Sequence, residues 1–216
     1  ILRGFTIPPR IGPGTILDGI LRPAWTLDFL THEPIGFANV SHLPVPQGDE
    51  QMGRGKYVMQ NFDQALSWSD VEWLQSVWSG PIILKGIQCV EDALRAVDAG
   101  VQAIALSNHG GRQLDCAPAP LDLVEPVAQV VQGRAAVICD GGVRRGSDVV
   151  KALALGADAC SICRPYLYAM GAAGERGVDH LLEFFRDGIE HTMALCGRTS
   201  IPDVDRRLVR WHDAKR

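Results

Sequence analysis

The sequence lacks several features that would assign it to large classes of protein. It has no excess of positive charge, because 21 Lys and Arg stand against 25 Asp and Glu for a net charge of −4. This balance argues against nucleic acid as a partner. No apolar run approaches the roughly 18 residues needed to span a bilayer. A GxGxxG motif after a strand and a GxxxxGK(S/T) motif are also absent, which disfavours Rossmann dinucleotide binding and P-loop chemistry.

The cysteines form neither a disulfide framework nor a clear metal site. All six are scattered through apolar or helical stretches, a usage that fits a reducing cytoplasm. Cys160 and Cys163 have CxxC spacing, but no second pair of ligands stands at the distance typical of zinc sites. We therefore predict no metal centre and a cytoplasmic protein.

From about Ser67 onward, short apolar runs alternate with helical patterns, which is typical of βα units and a parallel sheet. A capping-box pattern at 69–72 marks the start of the first helix. Two helices end at Gly100 and Gly156, and each glycine precedes the next strand by the same offset, as a weak internal repeat. We predict strands over 81–85, 103–106, 136–139 and 159–162, and further helices over 91–99, 121–131, 147–155 and 178–195.

Residues 1–66 are rich in Pro and Gly and have few periodic stretches. We predict a loop-rich segment with one or two short helices that packs on the main domain, and a C-terminal tail over 201–216. Within this segment, the stretch 14–30 mixes apolar residues with charged ones and contains Trp25. Ordinary packing against the domain is the favoured interpretation, and an interfacial role for Trp25 is the alternative.

The string SNHGGRQLD at 107–115 carries the clearest chemistry. It follows a predicted buried strand, so His109 and Arg112 emerge just beyond the carboxyl end of that strand, where a barrel keeps its active site. A histidine can take a proton near neutral pH, and an arginine can bind a carboxylate through two parallel hydrogen bonds. Together these residues suit the activation of an organic acid beside its carboxylate.

The ends of the other predicted strands carry cations and glycines. Lys85 ends the first, DGGVRRG at 140–146 follows the third, and Cys163-Arg164 follows the fourth. Side chains at the carboxyl ends of consecutive parallel strands converge on one mouth, where glycine backbone and guanidinium groups can approach a phosphate. The pattern therefore predicts a phosphorylated cofactor.

Each of these residues also has an ordinary structural alternative. Lys85 could equally be a strand-end lysine whose ammonium reaches the solvent. Asp140 could equally cap a helix, and Arg144 and Arg145 could be two solvated surface residues. The functional interpretation is favoured because four successive strand ends carry suitable residue types at once.

These motifs resemble the active-site signature of the FMN-dependent 2-hydroxy acid dehydrogenases and oxidases, the family of glycolate oxidase, L-lactate dehydrogenase and mandelate dehydrogenase. The resemblance runs from about Arg3 to near Ile201 and is strongest over 66–177. It implies a TIM (β/α)8 barrel, of which this chain supplies about the second half, since roughly four strands are evident where a barrel has eight. We expect a complementary first half, on another chain or on the rest of a longer one, and a homo-oligomer when the protein is complete.

The resemblance implies FMN as the cofactor and a role for each strand end. Lys85 would lie beside flavin N1 and O2, with Ser107 near the flavin, while His109 acts as the base and Arg112 binds the substrate carboxylate. Cys163 stands where the family usually has a glycine whose N–H meets the phosphate. The remaining cofactor contacts would come from Asp140, Gly141, Gly142, Arg144, Cys163 and Arg164, with Gln113 and Leu114 in support.

The resemblance also implies oxidation of a small L-2-hydroxy acid to the 2-keto acid. Lactate is the first choice, because the stretch 17–29 is more similar to bacterial lactate and mandelate dehydrogenases, which often associate with membranes and pass electrons to quinone. Peripheral contact with the inner face of the cell membrane is therefore an alternative to a purely cytoplasmic location. Two other functions stay open: an O2-using oxidase of the glycolate or mandelate type, and a non-catalytic half-barrel that binds phosphate. The sequence also leaves open whether the oxidation proceeds by hydride transfer or through a carbanion.

Overall fold

The computed structural model describes residues 12–32, 42, 63 and 65–211, and contacts divide the chain into two units between Leu66 and Ser67. The first unit contains helix α1 (Pro13–Ile20) and helix α2 (Pro23–Thr31), each of which begins with a proline. Proline suits the first helical position because its missing N–H is not needed there. Most of the rest of the predicted loop-rich segment, and residues 212–216 of the predicted tail, lie outside the described residues.

The second unit is an α/β structure with a parallel sheet, as the sequence predicts. Its four strands are hydrogen-bonded in chain order, and each pairing is parallel. Among the described residues, no helix has both the length and the apolar character needed to cross a membrane. The elements are α3 (Trp68–Val77), β1 (Ile83–Ile87), α4 (Val90–Asp98), β2 (Ala103–Ser107), α5 (Pro120–Val131), β3 (Ala136–Asp140), α6 (Gly146–Ala154), β4 (Ala159–Ser161) and α7 (Arg164–Leu195), with 3-10 turns at His109–Gly111, Ile201–Asp203 and Arg206–Leu208.

Alternation along the strands sends side chains to two faces of the sheet. Ile104, Leu106 and Val137 lie on one face and are buried in a core with residues of α4, α5 and α6. The residues between them face the other side, and the strand register sets Ser107 level with Asp140. The sheet therefore separates an apolar layer under the helices from a polar layer at the carboxyl ends of the strands.

Helices α6 and α7 cross at a pair of glycines. A β-carbon on Gly146 would lie 2.2 Å from the carbonyl carbon of Gly188, which is closer than real β-carbons approach other atoms. Beyond this crossing, Val150 and Met193 are buried in a second, smaller apolar cluster. The two backbones can therefore pack directly against each other because Gly146 lacks a side chain, and a β-carbon on Gly188 would also be tight, at 3.2 Å from the Gly146 backbone.

Two helix starts differ from the sequence predictions. Helix α3 is capped two residues earlier than predicted, because the Ser67 backbone N–H donates to the Asp70 carboxylate at 2.6 Å. Helix α7 begins at Arg164 rather than at 178. Its backbone leaves the helical conformation at Ala173 and Gly174, and this break interrupts the period from which the helix would be recognised.

Candidate active site

A cleft of about 700 Å³ opens at the carboxyl ends of the strands. All four strand ends contribute to it, directly or through the loops that follow them. Most of the predicted site residues line this cleft, whereas Ser107 lies buried behind it and Gln113 and Leu114 are not part of its wall. The predicted residues brought together are Lys85, His109, Arg112, Asp140, Gly141, Gly142, Arg144, Cys163 and Arg164.

An ion pair forms the floor of the cleft. The Lys85 Nζ lies 2.6 Å from Asp140 Oδ2, and the same oxygen accepts the Ser107 hydroxyl at 2.5 Å. Lys85 belongs to β1 and reaches across β2, and a bulge at Gly86 shifts the register just beyond it. The lysine is therefore paired with a carboxylate of the cleft while 57% of its side chain remains exposed, and Asp140 is not a helix cap.

The Asp140 carboxyl stays ionised in this setting. Burial alone raises the pKa of this carboxyl, but hydrogen bonds from Lys85, Ser107 and Ser161 and the charge of the lysine outweigh that effect. The pKa of Asp140 therefore lies below its usual value. Because the folded state favours the charged form, the resulting stabilisation is present at neutral pH and is lost as the pH falls through the lowered pKa.

His109 is held in an unusual backbone conformation. Its φ of 53° lies in the left-handed region, and Gly110 and Gly111 follow at 68° and 71°. The Asn108 side chain accepts the Gly110 N–H at 2.9 Å and donates to the carbonyl of Pro118 at 3.1 Å. A non-glycine residue in this region is disfavoured unless its surroundings impose it, and such residues concentrate at functional sites.

The sequence matches the FMN-dependent dehydrogenase family over residues 1–211. The chain belongs to this family. The family fold is a TIM barrel and its cofactor is FMN, so the predicted fold and cofactor are confirmed, with the chain covering part of the barrel.

Several members of the FMN-dependent dehydrogenase family are similar to this chain. A Mycobacterium tuberculosis protein provisionally named L-lactate dehydrogenase is 40% identical over 97% of the chain, which covers 49% of that protein. The peroxisomal (S)-2-hydroxyacid oxidase GLO3 of Arabidopsis thaliana is 52% identical over 74% of the chain, which covers 44% of the oxidase. The solved structure of (S)-mandelate dehydrogenase, a monotopic membrane protein, matches 95% of the chain at 36% identity and a TM-score of 0.84, and the chain covers 54% of it. The chain spans about half the length of the curated relatives it matches.

The charge of the cleft fits the phosphate of the family cofactor. Its cationic side chains outnumber its acidic ones in a chain whose net charge is −4, because Asp140 is the only carboxylate among the described lining residues. Gly141 and Gly142 have φ values of 132° and 78°, which favour glycine, and a β-carbon on Gly142 would meet no atom within 4 Å. Guanidinium groups and uncovered backbone are suited to hold a phosphate. The cations are Lys85, Arg112, Arg144 and Arg164.

The CxxC pair has different surroundings at its two ends. Burial raises the pKa of the Cys160 thiol to about 12, with smaller contributions from Cys139 and Asp148, so this thiol stays protonated at neutral pH. Cys163 is exposed, lines the cleft and precedes α7.

Sequence reasoning missed two parts of the cleft. Ser161 lines the wall and is the register partner of Asp140 on β4, where it helps to lower the pKa of that carboxyl. The predicted strand ran one residue too far, which hid Ser161 as a strand end. Leu167 and Tyr168, in the first turns of α7, also line the cleft, in a part of the helix that the sequence did not predict.

Proposed function

We propose that the protein carrying this chain oxidises a small L-2-hydroxy acid to the 2-keto acid, with FMN as the electron acceptor. The observation that carries the proposal is the meeting of His109 and Arg112 with the Lys85–Asp140 ion pair in one cationic cleft. The oxidation removes two electrons and two protons from the hydroxyl-bearing carbon and its oxygen. FMN, when bound, takes up the electrons, a capacity that the side chains of the cleft lack.

The side chains divide the remaining work. Arg112 binds the substrate carboxylate through its planar pair of N–H groups, which fixes the orientation of the acid. His109 accepts a proton from the bound acid, since a neutral imidazole is an effective base near neutral pH. Lys85 contributes a fixed positive charge, and Asp140 holds this lysine in place at 2.6 Å. Arg144 and Arg164 remain for the phosphate.

Within this class we propose lactate as the substrate and a quinone or another acceptor rather than O2. The support for the acceptor is the extent of the similarity: matches to the two dehydrogenases cover 97% and 95% of the chain, whereas those to the GLO3 oxidase and to the L-lactate oxidase of Nostoc cover 74% and 77%. The support for lactate is the name of the Mycobacterium tuberculosis dehydrogenase, which matches 97% of the chain. An oxidase that uses O2 is the second candidate, favoured by the higher identity of the GLO3 match.

Steady-state kinetics of the intact, FMN-loaded protein test this proposal. With a dye acceptor, we expect kcat/KM for L-lactate to exceed that for glycolate and L-mandelate by about tenfold, the scale at which a pocket discriminates small apolar groups. Turnover that yields hydrogen peroxide at the dye-reduction rate would support the oxidase instead. An FMN-bound protein without turnover of any of these acids would support the non-catalytic half-barrel.

We further propose that a first-half segment of the family barrel completes the sheet, and that the complete protein is a homo-oligomer. The support is that β1 and β4 are the edges of the sheet in the described part of the chain, while family members are closed barrels. Closing the barrel pairs both edges and covers the inner face. The native mass of the FMN-loaded sample measures the number of subunits, and a monomer would contradict the oligomer.

We also propose peripheral contact with a membrane through α1 and α2. No residue of either helix is buried, and their charges are largely paired, with Arg22 at 3.1 Å from Asp18. The similarity to a monotopic membrane protein over 95% of the chain supports the proposal. Exposed apolar side chains of this kind can enter the lipid interface. They are Ile16, Leu17, Ile20, Leu21, Trp25, Leu27, Phe29 and Leu30.

Flotation with liposomes tests the membrane contact. The double substitution Leu21→Ser with Trp25→Ser is expected to reduce the lipid-bound fraction by about tenfold, because it removes apolar area that would enter the interface. Leu182→Ser with Phe184→Ser is the matched control, since it removes a similar exposed pair from α7 and leaves α1 and α2 intact. Equal flotation of both variants would contradict the proposal.

A further inference from the structure

We propose that Asn108 is a positioning residue that closes the base of the loop carrying both His109 and Arg112. This loop runs over 109–117, between the end of β2 and the residues that lead into α5. Asn108 is not among the residues that line the cleft, so it acts through its neighbours. The inference rests on the proposed function, because it concerns how the proton acceptor and the carboxylate-binding group of that site are held together.

The loop needs restraint from outside its own side chains. His109, Gly110 and Gly111 have φ values of 53°, 68° and 71°, so three consecutive residues lie in the left-handed region. A residue with a β-carbon stays there only when its surroundings impose that conformation. Every residue from 109 to 116 is exposed, so burial of loop side chains does not supply the restraint. Hydrogen bonds from neighbouring residues must therefore fix the loop.

The side-chain amide of Asn108 supplies two such hydrogen bonds. It accepts the Gly110 N–H at 2.9 Å and donates to the Pro118 carbonyl at 3.1 Å. A backbone N–H can only donate and a carbonyl can only accept, so the two partners fix which way the amide is turned. The first bond shapes the turn, and the second joins the residue before the loop to the residue after it.

The Pro118 carbonyl is a rigid anchor for this second bond. The stretch 117–120 reads Ala-Pro-Ala-Pro, in which each proline fixes its own φ and restricts the residue before it. Pro120 is buried and begins α5, and Val124 of that helix is fully buried in the core. The Asn108 side chain therefore ties an exposed loop to an element that the core holds in place.

Gln102 offers a matched control at the opposite end of β2. Its side-chain amide also accepts a backbone N–H, from Ile82 at 2.7 Å, and donates to a backbone carbonyl, of Gly100 at 2.8 Å. It precedes the strand that Asn108 follows, and it does not line the cleft. Gln102→Ala therefore removes the same two kinds of hydrogen bond as Asn108→Ala and leaves the loop over 109–117 intact.

Hydrogen exchange of the turn, measured by mass spectrometry on the intact, FMN-loaded protein, is the first test. We expect Asn108→Ala to speed exchange of the Gly110 amide by about tenfold or more, because this amide loses its acceptor. Gln102→Ala should leave that exchange unchanged. If Asn108→Ala also left it unchanged, the proposed restraint of the turn would be wrong.

Kinetics and a pyruvate titration of the FMN-saturated protein are the second test. Because His109 and Arg112 share the loop, we expect Asn108→Ala to lower kcat for L-lactate and to weaken pyruvate binding by about tenfold each. Together these losses reach the scale of a misplacement of about 1 Å. Gln102→Ala should change both quantities by less than about twofold. A loss confined to kcat or to pyruvate binding would contradict a shared effect on the whole loop.

Asn108→Ser separates the two hydrogen bonds. Its hydroxyl can still accept the Gly110 N–H, but it is too short to reach the Pro118 carbonyl. We expect this variant to keep most of the Gly110 protection and still show the joint loss of kcat and pyruvate binding, and it takes the place of Asn108→Ala should that variant fail to fold. Parent-like kinetics of Asn108→Ser would overturn the closure of the loop base.

The two tests also separate this inference from the proposed function. Hydrogen exchange does not depend on turnover. If the parent protein oxidised no 2-hydroxy acid while the exchange of Gly110 responded as expected, the proposed function would fail and the role of Asn108 in holding the turn would stand.

Discussion

Replacing His109 with Gln is expected to lower kcat for the 2-hydroxy acid by about a thousandfold, within the range for losing a general base. Glutamine can form hydrogen bonds from the same position, but it cannot take up a proton near neutral pH. Binding of pyruvate, the expected product of lactate oxidation, should change by less than about threefold, because the carboxylate is held by Arg112. Steady-state kinetics and a pyruvate titration measure the two effects separately.

Arg112→Lys is the matched comparison, since it keeps the positive charge and loses the planar fork. Pyruvate binding is expected to weaken by about tenfold or more, with a smaller effect on kcat, because a point charge replaces two parallel hydrogen bonds. The two variants should therefore differ in kind. If Arg112→Lys bound pyruvate as tightly as the parent protein, Arg112 could no longer be assigned to the carboxylate.

The largest effect on stability is expected from Gly146→Ala. The added β-carbon would lie 2.2 Å from the backbone of Gly188, so α6 and α7 would have to separate. Overpacking of this kind typically costs about 1–3 kcal/mol, and we expect at least the upper end of this range because the contact is with rigid backbone. Denaturant unfolding, followed by circular dichroism, measures the loss.

Gly171→Ala is the control for this substitution. Gly171 lies on α7, is exposed, and a β-carbon there would meet no atom within 4 Å. Alanine at an exposed helical position should stabilise the protein by a few tenths of a kcal/mol to about 1 kcal/mol. Equal stability of Gly146→Ala and the parent protein would contradict the close crossing of the two helices.

The elements that the sequence predicted well are those with local signals. Apolar runs identified all four strands, and Gly100 and Gly156 follow the ends of α4 and α6 as expected. The sequence did not predict the early part of α7, because this part lines a cleft instead of burying one face against the core. Its apolar residues therefore do not recur with the spacing of a helix. The break at Ala173 and Gly174 then separated it from the part that does.

The candidate site shows the same division. The motifs predicted which residues gather at the carboxyl ends of the strands, because chain order in a parallel sheet sets the order around the mouth. They did not predict that Ser107 would donate to Asp140, a contact between residues 33 positions apart. That contact depends on the register between β2 and β3, and register follows from packing of the whole sheet rather than from local residue types.

The break in α7 has a consequence for how the protein can change. Leu167 and Tyr168, before the break, line the cleft, whereas Gly188 and Met193, after it, pack α7 against α6. The two parts of the helix therefore serve different purposes. Under the proposed function, substitutions of Leu167 and Tyr168 are expected to alter which acid binds while the helix crossing is preserved. Under that function, substrate preference can change during evolution with little effect on how the protein folds.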